Sequence, residues 1–140
     1  MPNPPGEWVN EPAPAWDALT PEEIDAIIEQ YYMWMFELVI LWYDRMAANN
    51  ITIREMMTLF WHNHFAVEAD KVFFPQAMYR QNSLFRGYSV GNIKELVKEI
   101  AIDPAILIYF DGNWSTVGHI NENFVREVLE LFTIGISNDY

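Results

Sequence analysis

A chain of 140 residues with 20 acidic against 8 basic side chains and a net charge of −12 is one domain's worth, and its charge has the wrong sign for a phosphate backbone. The basic residues are scattered from Arg45 to Arg126 without a cluster, which argues against a nucleic-acid partner. The absence of cysteine excludes disulfides and thiolate metal sites and leaves the compartment open. Aromatic residues make up 16% of the chain, so the core, or an interface, is built from large flat rings.

Met1 is followed by Pro-Asn-Pro-Pro, which lacks the basic start and apolar stretch of a signal peptide. Five of the eight prolines fall within residues 1–19. Proline fixes φ and removes an amide donor, so this stretch is expected to be an extended arm, with Trp8 and Trp16 docking it onto a helical body. Thr20-Pro21-Glu22-Glu23 then reads as a capping box with proline in the first turn. The helix it opens should run to about Ala48 and end in the Asn49-Asn50 turn. Its run Tyr31–Tyr43 is apolar on nearly every side, is interrupted by Glu37, and is bounded by Glu29 and Asp44. A membrane span needs roughly 20 predominantly apolar residues, so this run is expected to be a buried helix, central to the core or covered by a partner. Glu37 is expected to be paired or at an exposed edge.

A second capping box, Thr52-Ile53-Arg54-Glu55, opens a helix carrying Trp61, His62, His64 and Phe65. The pattern loosens over Val67–Phe74, and Pro75 restarts a helix through Met78, Tyr79, Leu84 and Phe85. Asn92 caps an amphipathic helix with Ile93, Leu96, Val97 and Ile100 on one face. Asp103-Pro104 opens a short helix through Tyr109. Asp111–His119 is the long loop, and the last helix runs from Asn121 through Phe124, Val128, Leu131 and Phe132 to Gly135. The expected fold is all-α: a single compact bundle of about six helices over residues 20–140, with the proline-rich arm over residues 1–19.

Several stretches together resemble one bacterial family. They are Arg54–Lys71 with its Trp61-His62-Asn63-His64-Phe65 core, Met78-Tyr79-Arg80-Gln81-Asn82, Gly91-Asn92, Asp103-Pro104-Ala105, and Asn121 to Gly135 with Asn-Glu-Asn-Phe and Glu-Leu-Phe-Thr. The family is the one catalogued as domain of unknown function 1800, and the match is collinear from about Trp42 to Gly135. The resemblance implies no established activity. Its members are usually longer, commonly exported, and continue past the Phe-Thr-Ile-Gly motif. On that basis the chain reads as the family's central segment: a natural short member, a fragment, or a sequence designed on the family pattern. Surfaces that further helices would cover are then left to a protein partner or to self-association.

Two functional readings follow. In the first, the domain is an all-helical structural or interaction module needing no cofactor. His62, His64 and the last-helix carboxylates form a buried polar network in it, extended by Arg80, Asn82, Asn121, Glu122, Asn123 and Arg126, with Arg126 pairing to Glu122 or Glu130. Both histidines then lock the second helix to the last. In the second, the same cluster is a metal-dependent or acid/base hydrolase using His62, His64, Glu127 and Glu130. Positions two apart on a helix are about 200° apart, so His62 and His64 cannot share one ion. Either one with His119 or Glu127 would make a His-and-carboxylate set for zinc, iron or manganese. No Gly-x-Ser-x-Gly elbow and no cysteine nucleophile support a covalent mechanism. Whether the chain is an enzyme stays open at this level.

Overall fold

Helices begin where a side chain is ready to take up the free amides of a first turn. The computed structural model describes residues 5–48, 52–119 and 121–135; Pro2, Pro4, the Asn49-Asn50 turn and the side chain of Leu131 lie outside the described residues. Among those described are seven α-helices, and the only extended pairing is an isolated bridge between Thr116 and His119. The helices are α1 (Pro21–Ala48), α2 (Ile53–His64), α3 (Ala69–Val72), α4 (Pro75–Gly87), α5 (Ile93–Ile100), α6 (Pro104–Tyr109) and α7 (Glu122–Leu129).

At α1 the capping box is complete. The Thr20 amide donates to Glu23 Oε2 at 2.9 Å, and the Glu23 amide donates to Thr20 Oγ1 at 3.3 Å. The bond from the Thr20 amide holds the Glu23 carboxyl below the usual carboxylate range. At α2 only half of the box forms. Thr52 Oγ1 accepts from the Glu55 amide at 3.4 Å, but the Glu55 carboxylate turns away to Arg86. Asn92, Asp103 and Asn121 cap α5, α6 and α7 through their side chains.

Two stretches depart from the expected pattern. The loosened segment contains the single turn of α3, which ends at Phe73 in the left-handed region, φ 42°. A bulky residue accepts that conformation only where its surroundings hold it, and the Phe73 ring packs edge-on against Tyr32 at 5.0 Å. The last helix is not regular to Gly135: α7 stops at Leu129 and continues as a π turn over Glu130–Ile134. That wider turn begins where Phe132 enters the core, 5.2 Å from Phe65 and 5.7 Å from Phe110.

The core lies between α2 and α4 and is closed by α5, α6 and α7. Phe65, Phe85, Leu96, Ile100 and Ile106 are fully buried, with Trp61, Val128 and Phe132 around them. Each such side chain is worth about 1.5–3 kcal/mol on area grounds.

Of the two alternatives for the apolar run of α1, central to the core or covered by a partner, the first does not hold. Tyr31 is its one fully buried residue. On the opposite arc Tyr32, Met33, Phe36, Val39, Ile40 and Tyr43 are 46–66% exposed. The reason is geometric: α1 packs mainly against α4 and the arm, so one side alone finds partners.

The stretch expected to be an extended arm is not extended throughout: its described part contains two 3-10 turns, Glu7–Asn10 and Trp16–Ala18. Trp8 is buried and stacks on Trp34 with centroids 5.0 Å apart. Its indole Nε1 donates to Glu37 Oε2 at 2.9 Å, and the Gly6 amide donates to Glu37 Oε1 at 3.2 Å. Glu37, the acid inside the apolar run, is therefore the clasp that receives the arm. Trp16 meets Tyr31 edge-on at 6.1 Å and stays partly exposed. No helix among the described residues is long and apolar enough to cross a membrane.

Candidate functional site

Glu55, Thr58 and His62 are spaced three and four residues apart, which puts them on one face of α2. Asn82 and Arg86 are one turn apart on α4. The two faces meet in a directed chain of polar contacts. Arg86 forms an ion pair with Glu55, and the two side chains are 17% and 6% exposed. Arg86 Nη2 also donates to Asn82 Oδ1 at 3.2 Å, and Asn82 Nδ2 lies 3.0 Å from His62 Nε2.

The protons in this chain follow from one residue. Arginine only donates, so it fixes the oxygen end of the Asn82 amide toward itself. The amide nitrogen then faces His62 as a donor, and Nε2 must be the acceptor. His62 is thus the neutral Nδ1–H tautomer. Burial agrees, holding the His62 pKa down to about 4, with the nearby Arg86 charge pushing the same way. The Trp42 ring lies 4.5 Å from the imidazole and the Phe85 ring 4.7 Å, edge-on.

His64 works elsewhere. Its Nε2 donates to the Phe132 carbonyl at 2.9 Å, one of the carbonyls that a helix end leaves without an internal partner. The two histidines therefore do different jobs. His64 ties α2 to the end of the last helix, as the sequence suggested for both. His62 ties α2 to α4.

The wider network expected from the sequence separates into local parts. Gln81 Nε2 donates to Asp103 Oδ1 at 3.1 Å, and Asp103 also accepts from the Ala105 and Ile106 amides. Burial raises the Asp103 carboxyl, opposed by those bonds and by the charge of Arg80. Asn121 caps α7 by accepting from the Phe124 amide at 3.1 Å and donates to the carbonyls of Phe110 and Asp111. Arg126 donates to Asn123 at 2.6 Å and lies 3.6 Å from Glu127, rather than pairing with Glu122 or Glu130. Glu122 shares a surface notch with Asn123 and Arg126. Among the described residues no hydrogen bond or ion pair connects either histidine to Glu127 or Glu130. His119 sits exposed in the turn closed by Thr116. The four residues considered for a metal are not gathered, and no group of three or more His, Asp and Glu among the described residues is placed to hold an ion.

Beside the His62 chain, α1, α2 and α4 border a half-open cleft of about 440 Å³. Its wall is mostly apolar, with Trp42, Val39, Leu59 and Met78, and carries His62, Asn63, Asn82, Tyr79 and Arg45. A mainly apolar cleft with a few polar groups and a histidine of shifted pKa has the makeup of a ligand site.

Glu55, Arg86 and Trp42 were not singled out from the sequence. A signal existed for the first two: Glu55 lies two turns before His62, and Arg86 one turn after Asn82, so each shares a helix face with a residue of the expected polar network. Glu55 was hidden by its fit to a capping box. For Trp42 there was no signal, since it is one ring among many on α1.

A family model described as "Protein of unknown function (DUF1800)" matches residues 7–140. No curated protein and no solved structure matches the chain.

Proposed function

This chain belongs to the DUF1800 family of proteins of unknown function, and on that footing we propose that it is an all-helical interaction module whose α1 docks a protein partner. The exposed arc of α1 carries this reading. Tyr32, Met33, Phe36, Val39, Ile40 and Tyr43 recur every three or four residues, so they form one stripe, about 17 Å long at 1.5 Å per residue. On α2, Met56, Leu59 and Phe60 are 44–57% exposed, and Leu59 shares the cleft wall with Val39. Contiguous apolar surface of this kind marks an interaction site.

Charge selects the partner. The first turns of the same arc carry Glu22, Asp25 and Glu29, and Asp44 follows Tyr43. A second copy, with its own net charge of −12, would bring acid against acid in either orientation. A partner helix with an apolar face and basic flanks meets both features.

The test uses a Leu/Lys amphipathic model helix and its Leu/Glu counterpart, read by fluorescence anisotropy. Wild type should bind the first and not the second, and Phe36→Glu should weaken binding about tenfold. Because that variant adds negative charge, attraction by charge alone would strengthen. Equal or tighter binding by Phe36→Glu would therefore sink the proposal. A wild-type dimer that Phe36→Glu dissolves, seen by sedimentation, would replace the partner with a second copy.

A further inference from the structure

We infer that Asn113 is an acceptor site for an N-linked oligosaccharide, presented on the loop between α6 and α7. The docking arc of α1 and the seam between α2 and α4 play no part in it.

The pattern comes from the sequence of the loop. Transfer of a sugar to an asparagine needs a hydroxyl two residues on, with no proline between. In this chain Asn50 and Asn113 meet that condition. The stricter reaction of bacterial transferases also needs an acid two residues before the asparagine. Asp111-Gly112-Asn113-Trp114-Ser115 supplies it, whereas Ala48 holds that place before Asn50. Chance yields the three-residue pattern often, so the placement of the longer one decides.

The structure puts the three reacting groups at the surface. Residues 113–119 are exposed without a break, so a bulky glycan there displaces no buried contact. The Asn113 carboxamide has no hydrogen-bond partner among the described residues. Ser115 Oγ accepts from the Asn121 amide at 3.2 Å, which leaves its own hydrogen to donate. The Asp111 carboxylate is 62% exposed and 3.8 Å from Lys71, a surface pair that costs little to displace. The same tip carries Trp114 and Val117, 76% and 105% exposed. The C–H face of a sugar on Asn113 would give the neighbouring indole a surface to pack against.

The donor is an oligosaccharide on a polyprenyl diphosphate. The Asn113 amide nitrogen bonds to the anomeric carbon, the bond from that carbon to the diphosphate oxygen breaks, and the polyprenyl diphosphate leaves with the electron pair. The proton lost from the nitrogen passes to a base of the transferase, and nothing is oxidised or reduced.

The test incubates the folded chain with an acid-requiring bacterial oligosaccharyltransferase and that donor. Intact mass should rise by one oligosaccharide, mapped to Asn113. Asn113→Gln should lose the addition. Asp111→Asn should lose it too, since asparagine accepts the left-handed backbone at that position, φ 57°. Both variants should keep the wild-type melting temperature. Gly112, between the acid and the acceptor, is buried, so the folded loop is the demanding case. Addition only to peptides from the digested chain, with none to the folded chain, would overturn the site. A control peptide of the five residues left unmodified would overturn the motif. Addition that survives Asn113→Gln would overturn the assignment to that residue.

Discussion

The seam between α2 and α4 and the outer arc of α1 are made of the same kinds of side chain and have opposite fates. Along the seam, Trp61, Phe65 and Phe85 are buried among other rings and accompanied by Glu55, Thr58, His62, Asn82 and Arg86. Along the arc, Tyr32, Phe36 and Tyr43 face solvent, and the polar residues of the stripe lie only at its ends. Hydrophobicity does not separate the two regions. What separates them is that the seam offers directional polar partners on both helices, which fix one pairing among the many that rings alone would accept. The arc has no such partner within the fold.

The comparison breaks first at the ion pair. Arg86→Met leaves the Glu55 carboxylate buried and unpaired and should cost about 3–5 kcal/mol, read as a lower midpoint in urea denaturation. Adding Glu55→Met should restore much of that loss, because two apolar residues of similar volume replace the pair.

Next in size is the proton at His62. The unfolded imidazole binds a proton near pH 6.5 and the folded one only near pH 4. Between those values the unfolded state holds more protons, so stability falls as the pH is lowered through that window. Above it the contribution is fully present. The span corresponds to about 3 kcal/mol. Wild type should therefore lose about that much more stability than His62→Asn between pH 6.5 and pH 4, measured by denaturant titration at a series of pH values. Parallel curves for the two proteins would return the imidazole to an ordinary solvated state.

The smallest effect belongs to the arc. Tyr43→Lys should change stability by no more than about 0.5 kcal/mol, since the ring is 66% exposed. A larger loss on thermal melting would mean that the arc contributes to the fold itself.

Much of the fold was legible. Thr20, Thr52, Asn92, Asp103 and Asn121 each cap a helix as their positions suggest, because capping is local and reads from adjacent residues. That α1 would lie outside the core, the first of its two alternatives, was not legible, because composition says how apolar a helix is and nothing about how many neighbours it finds. At the site, His64 reaching the last helix was readable in outline. The Asn82 partner of His62 was placed in the polar set, but its pairing was not, and Glu127 and Glu130 were placed with histidines they do not bond. Such pairings depend on how two helices rotate about their axes, which a single sequence does not record. The π turn after Leu129 is of the same kind: one extra residue in a turn changes which side chain points inward without changing the motif.

The bond from His64 to the Phe132 carbonyl spans 68 residues, and that span has a consequence for the chain as it is made. A ribosome adds roughly 5–20 residues per second, so Phe132 emerges several seconds after α2. During that interval the ring-rich face around Trp61 and Phe65 exists without its last cover, while the glutamates and aspartates of α1 have already been synthesised. The early negative charge keeps nascent copies apart at the stage when their unfinished aromatic faces would otherwise find each other.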